Sequence, residues 1–229
     1  MITKTFKNVA GQTEDEFYTS FFTQNPHWNK ATPNADENLR WKIIEKFLYY
    51  IKGYQKSTGR LNSNNILDMG CGRGWLSNLL ANYGHVIAIE PVRPVVEHAR
   101  KLFPHLDIRC GTAGDLVADG KLSYFDVIVC SEVIEHIPDA QKADFIFALK
   151  SLLKKGGFLM MTTPRKDAEA EWIKYGNAAQ PVEDWMTEKA LGSLFEQAGL
   201  TNHLLSRAAM PPVKKAPEIE IYQLWLVQN

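Results

Sequence analysis

The sequence predicts an α/β fold: a doubly wound, mostly parallel seven-stranded sheet with an antiparallel final strand and an N-terminal helical lid. Three observations predict it. From residue 64 onward, short apolar segments alternate with amphipathic ones, the pattern of parallel strands joined by right-handed crossovers. The strand segments, "VIVC" at 127–130 above all, are apolar without interruption, as strands covered on both faces are. A glycine-rich turn, "GCGRG" at 70–74, stands between the first strand and the helix after it.

Taken in order, the first 35 residues are rich in aromatics but irregular in pattern. A helix is predicted over 34–54, where Ile43, Ile44, Phe47, Leu48 and Ile51 recur at three- and four-residue spacing. "STGRLNSNN" is a loop. "NILDMG" is a buried strand, and "WLSNLLANYG" a helix stopped by Gly84. "HVIAIE" is a strand, and "RPVVEHARKLF" a helix that tolerates Pro94 in its first turn. "LDIRC" and "SYFDVIVC" are strands. The helix over 138–157 is capped by Asp139, turns Phe145, Ala148, Leu149, Leu152 and Leu153 inward, and stops at Gly156. "FLMMTT" is a strand, and "TEKALGSLFEQAGL" a helix ending at Gly199. "TNHLLSRAAM" and "IEIYQLWLVQ" are strands, and the short loop between them suits an antiparallel pair. The expected division is a lid and helix over 1–60 and a core over 61–229, with a small cap insertion near 165–186.

Composition narrows the function classes. Lysine plus arginine equals aspartate plus glutamate at 26 each, so a nucleic-acid partner is not expected. Three cysteines without CxxC spacing fit a reducing compartment, and the acidic start has no apolar signal core. No apolar run reaches the length of a membrane span. The expectation is a cytoplasmic protein with no metal site.

In such sheets ligands sit beyond the carboxyl ends of the strands, where strand order reverses. Gly70, Gly72 and Gly74 fall there, and Glu90 ends the next strand. A carboxylate so placed accepts both hydroxyls of a ribose. The dinucleotide fingerprint is G-x-G-x-x-G, whereas the spacing here is G-x-G-x-G. Asp68, two residues earlier, suits an ammonium-bearing, sulfonium-like ligand better than a pyrophosphate, because like charges repel.

"ILDMGCGRGWLS" resembles the first motif of class I S-adenosylmethionine-dependent methyltransferases. "FDVIVCSEVIEHIPD" is similar to their fourth strand and the loop after it, and "LLKKGGFLMMTTP" to the entry of their fifth strand. The resemblance spans roughly 39–226 and implies a Rossmann-like methyltransferase fold. The nearest subgroup is the ubiquinone-biosynthesis O-methyltransferases, whose signature resembles "EVIEHIPD" and "PNADENLRWKII".

By that resemblance the cofactor is S-adenosyl-L-methionine and the product S-adenosyl-L-homocysteine. Gly70, Cys71 and Gly72 line its methionine part, Asp68 faces the amino group, and Arg40 reaches the carboxylate. Glu90 holds the ribose, Pro91 and Val92 border the adenine, and Ala113 meets it. Thr112 stands where the family usually has an acid, so Asp115 is an alternative contact. Ser131 touches the cofactor through its backbone.

Methyl transfer needs alignment and exclusion of water, and a base helps a hydroxyl or amine nucleophile. Glu132, Glu135 and His136 follow the fourth strand. His136 is the candidate base, because an unperturbed imidazole changes charge near neutrality, and Glu135 is the other catalytic candidate. A Glu132–His136 metal pair lacks further matching carboxylates. The aromatics Tyr18, Phe22, Trp28, Trp172 and Trp185 flank the core where a lid is expected, and suit an aromatic or apolar small-molecule acceptor. Gln180, Glu183 and Asp184 either read polar groups on the acceptor or cap the helix at Thr187. The expected reaction is methylation of an oxygen, with nitrogen or carbon as the alternative atoms. A nicotinamide-linked oxidoreductase is the remote alternative, and a cofactor-binding partner subunit a third.

Overall fold

A computed structural model describes residues 12–59, 64–176 and 180–229. The start of the chain, residues 60–63 of the predicted loop and residues 177–179 of the insertion lie outside the described residues.

The core is one seven-stranded sheet in the order β3-β2-β1-β4-β5-β7-β6. Strands β1 (Asn64–Met69), β2 (Gly84–Glu90), β3 (Asp107–Cys110), β4 (Phe125–Ser131) and β5 (Leu153–Pro164) run parallel. Strand β7 (Ile219–Gln228) lies antiparallel to β5, and β6 (Thr201–Met210) antiparallel to β7 at the edge. Strand order reverses between β1 and β4. The ligand crevice of a doubly wound sheet opens there.

Side-chain alternation splits the strands between two cores. Leu67, Met69, Ile87, Ile89, Ile128 and Cys130 face one side, under α6 (Asp139–Leu152) and α8 (Glu188–Gln197). Ile66, Val86, Val127, Val129 and Met160 face the other, under α2 (Ala35–Ser57) and α3 (Trp75–Leu80). Helix α2 buries Ile44, Phe47, Leu48 and Ile51 as its spacing predicts. Asn34 and Glu37 close its start in a reciprocal capping box. Helix α4 (Arg93–Leu102) covers a third cluster around Ala88, Val96 and Ile108.

Several local expectations change. The aromatic N-terminal segment forms a regular helix, α1 (Glu14–Gln24), opened by a Thr13–Glu16 capping box. Gly84 does not stop α3, which ends at Leu80. It begins β2, where a Cβ would stand 2.3 Å from the Asn64 carbonyl oxygen, so its smallness serves strand approach. Asp139 does not cap α6. Pro138 precedes the helix, and the Asp139 carboxylate takes a 2.7 Å bond from Lys142 Nζ instead. Strand β5 starts at Leu153, so Gly156 sits inside a strand rather than after a helix. Ile146 joins the inner face of α6, while Phe145 and Ala148 pack at its margin. Two short helices were not foreseen, α5 (Ala113–Ala118) and α7 (Lys166–Trp172).

Candidate functional site

The turn after β1 is built by backbone conformations that side chains rarely adopt. Gly70 has φ +71°, and a Cβ there would meet Val133 Cγ2 at 2.4 Å. The amides of Gly70 and Cys71 both donate to the Ile89 carbonyl, at 2.9 and 3.0 Å, tying the turn to β2. Gly72, at φ +51°, donates its amide to Glu90 Oε2 at 3.1 Å. Glu90 Oε1 accepts from the Val92 amide, also at 3.1 Å. Burial raises the Glu90 carboxyl to about 7 against these two hydrogen bonds. Beneath the turn, Asp68 is buried and its Oδ2 accepts from Ser77 Oγ at 2.5 Å; burial raises it to about 7. Burial also pushes the Cys71 thiol well up, which leaves it unreactive.

Above the turn lies a cavity of about 460 Å³, within the range of small-molecule sites. Of the residues expected at the site, Gly70, Glu90 and Pro91 line it at the sheet. Arg40, Glu135 and His136 line its other wall, and Tyr18, Phe22, Trp28, Trp172 and Trp185 its aromatic sides. Val92 and Glu132 line it too, whereas the other residues expected to hold the cofactor stand back from it. Asp68 and Cys71 are buried under the turn, and Phe22 covers Gly72, whose Cβ would stand 3.0 Å from the ring. Thr112 caps α5 through a reciprocal box with Asp115, and Ala113 is the first residue of that helix. Ser131 Oγ pairs with Thr162 Oγ1 at 2.8 Å.

One end of the cavity is ionic. Arg40 on α2 is almost wholly buried, 3.2 Å from Asp36 Oδ2 and 3.1 Å from Glu132 Oε2, with its guanidinium over the Tyr222 ring. Burial alone favours loss of its proton; the two carboxylates outweigh that and hold it above the ordinary arginine range. Burial raises Glu132, with Arg40 opposing. Glu132 adopts φ +58°, a left-handed conformation fixed by its amide donating to the Thr162 carbonyl and its Oε1 accepting from Thr162 Oγ1. Arg40 Nε and Asp36 Oδ1 are buried and make no hydrogen bond among the described residues. A ligand carrying both a carboxylate and an ammonium supplies what each lacks.

The other end holds His136, in the 3-10 turn Ile134–His136. Its Nδ1 lies 2.9 Å from the Val182 carbonyl, which can only accept, so Nδ1 carries a hydrogen and, in the neutral ring, Nε2 holds the free lone pair. Glu135 Oε1 stands 3.8 Å from that Nε2, and Glu135 Oε2 accepts from Thr163 Oγ1. Burial raises the Glu135 carboxyl. The Tyr18 ring meets His136 edge-on, and its hydroxyl donates to Gln180 Oε1. Gln180 and Glu183 line the cavity, whereas Asp184 takes Lys142 and Thr187 caps α8 itself.

Sequence reasoning missed Asp36 and the wall given by Pro164, Met210, Pro212, Ile221 and Tyr222. Asp36 carried a signal: it lies one turn before Arg40 on the same helix face. The wall residues carried none, since they meet only through the β5–β7 and β6–β7 registers, Pro164 opposite Tyr222 and Met210 opposite Ile219. Among the described residues no cluster of three or more His, Cys, Asp or Glu could hold a metal ion, and no helix is long and apolar enough to cross a membrane.

Residues 37–205 match a family described as a methyltransferase domain. A ubiquinone biosynthesis O-methyltransferase of Dinoroseobacter shibae is 34% identical over 165 residues, 63% of each chain. One of Xylella fastidiosa is 39% identical over 154 residues, 56% of this chain and 61% of the relative. The matches thus span somewhat less than two thirds of these relatives' length. Among solved structures, a Burkholderia thailandensis 1,6-didemethyltoxoflavin-N1-methyltransferase, with bound 1,6-didemethyltoxoflavin and S-adenosylhomocysteine, aligns with a TM-score of 0.66. That alignment covers 94% of this chain and 86% of the other at 18% identity, a likeness of fold.

Proposed function

This chain belongs to the class I S-adenosylmethionine-dependent methyltransferases, and on that premise we propose that it methylates an oxygen of a small-molecule acceptor, releasing S-adenosylhomocysteine. The observation that carries this reading is one cavity joining Glu90, the Arg40–Asp36 pair and His136.

The donor half fits the residues present. Each Glu90 oxygen already holds one backbone N–H and keeps a lone pair for a ribose hydroxyl. Arg40 Nε and Asp36 Oδ1 take the carboxylate and the ammonium of the amino-acid end. Pro91 and Val92 border the base. When bound, the donor supplies a methyl carbon on a sulfonium whose sulfur leaves as a neutral thioether.

The acceptor half is the chain's own work. His136 Nε2 receives the hydroxyl proton, and Glu135, 3.8 Å away, favours the resulting imidazolium when its carboxyl is ionised. Tyr18, Trp172 and Trp185 orient a flat acceptor and exclude water. The names of the curated relatives support oxygen as the atom methylated. A specific observation favours nitrogen as the second reading: Glu135 and Glu183 line the acceptor end, while Arg40, the arginine lining the cavity among the described residues, is already paired.

The test is release of S-adenosylhomocysteine from S-adenosylmethionine with a panel of phenols, alcohols, amines and carboxylic acids. Phenols or alcohols are expected to turn over, and turnover of amines alone moves the reading to nitrogen. A parallel titration with NAD tests the oxidoreductase alternative, which requires binding of the dinucleotide.

A further inference from the structure

Arg73 lies inside the glycine turn, yet it lines no part of the cavity and is wholly buried. Its fork reaches away from the sheet. Nη1 and Nη2 donate to Glu37 Oε1 and Oε2 at 2.5 and 2.6 Å. Nε donates to the Lys30 carbonyl at 2.5 Å, and Nη2 also to the Thr32 carbonyl at 3.3 Å. All of these partners lie between α1 and the first turn of α2, ahead of the sheet in the chain.

The same connector is held at two further points. His98 Nε2 on α4 donates to the Asn29 carbonyl at 3.0 Å, and Trp28 stacks on Phe21 of α1. Phe22, next along α1, covers Gly72. Glu37 is also the acid of the α2 capping box, accepting from the Asn34 amide at 2.8 Å. Its neighbours on that helix, Asp36 and Arg40, form the ionic end of the cavity. A single guanidinium therefore fixes the lid connector, the start of α2 and the turn to one another.

We infer that Arg73 is a positioning residue that latches the lid to the glycine turn, so that donor affinity depends on a contact outside the cavity; this rests on the donor reading given above. Physical chemistry favours arginine for the task. A planar fork satisfies a carboxylate and two carbonyls at once, which a compact ammonium cannot. Removing it leaves Glu37 buried without a counter-charge, so the connector must loosen to hydrate it. Loosening also releases the α2 cap and, with it, Asp36 and Arg40.

The test compares wild type, Arg73→Met, Arg73→Lys, Glu37→Gln and the Arg73→Met/Glu37→Gln double variant. Calorimetry with S-adenosylhomocysteine reads affinity, and trypsin on the ligand-free full chain reads cleavage after the exposed Lys30 relative to cleavage in the core. Arg73→Met and Glu37→Gln are each expected to weaken binding on the order of tenfold. The double variant should be no worse than the weaker single, and Arg73→Lys should restore part of the loss. Cleavage after Lys30 should accelerate in the ligand-free variants. Affinity within twofold of wild type for both single variants, additive losses, or unchanged cleavage at Lys30 overturns the latch. If Arg73→Met does not fold, Arg73→Lys and Glu37→Gln are judged against wild type by the same two readouts. Wild type that binds no S-adenosylhomocysteine refutes the donor reading instead, and the Lys30 cleavage still judges the latch.

Discussion

His136 gives its Nδ1 hydrogen to the carbonyl of Val182, which leaves Nε2 as the basic nitrogen of the ring. That tautomer is the one a base facing the acceptor requires. His136→Ala is therefore expected to lower kcat by roughly 10²-fold or more while leaving affinity for S-adenosylhomocysteine near wild type. Steady-state kinetics beside calorimetry separates the two. Unchanged kcat would make the ring a brace for residues 180–185 and nothing more.

Glu90 joins the turn, through Gly72, to the start of α4, through Val92. Glu90→Ala removes the ribose acceptor and both of these ties. Donor affinity should fall by roughly 1–3 kcal/mol, the usual cost of leaving buried hydroxyls unpaired. Calorimetry reads this directly, and an unaltered Kd removes Glu90 from the ribose site.

At Gly72 the backbone is left-handed and the Phe22 ring already sits where a Cβ would go. Gly72→Val forces both the φ angle and the ring. Binding of donor and product should be abolished, while far-ultraviolet circular dichroism stays near wild type. A variant that binds normally places the ligand elsewhere.

Three buried carboxyls and the half-buried Glu132 couple stability to pH. Burial raises Asp68 and Glu90 to about 7, and raises Glu132 and Glu135 as well. In the unfolded chain such groups titrate near ~4. The folded state therefore binds more protons than the unfolded between these values. Its advantage is full below the unfolded pKa and is lost as pH rises through the folded one. The Tm of the ligand-free protein should fall from pH 6 to pH 8.5, and Glu90→Gln should flatten that slope. Thermal melts across this range check it; a Tm that rises with pH contradicts the assignment.

The sheet was legible because its signals are local. Each strand of the β1–α3–β2 unit is a short apolar run, and the turn between them is spelled out in glycines. A helical lid was expected, but its helix was not placed, although Thr13 and Glu16 spell a capping box and Phe17/Phe21 and Tyr18/Phe22 are four apart. Gly84 misled because a glycine after a helical run looks like a stop, while its true neighbour, Asn64, lies twenty residues back. Arg40 and Glu90 could be placed from motif position alone. Tyr222 could not, since its approach to Arg40 depends on β7 pairing beside β5. Arg73 drew no expectation of its own, because its partners lie more than thirty residues upstream.

Strand β7 is inserted between β5 and β6, although β6 precedes it in the chain. During synthesis, β6 thus leaves the ribosome before β7, the strand it pairs with. Until β7 arrives, the β5 edge stays open and β6 remains a solitary segment with both of its edges bare, the kind of surface that invites pairing between nascent chains. Strand β7 pairs with β5 on one side and with β6 on the other, and from that place Tyr222 completes the wall beside Arg40. The pocket is therefore completed by a segment that carries none of the motifs by which the pocket is recognised.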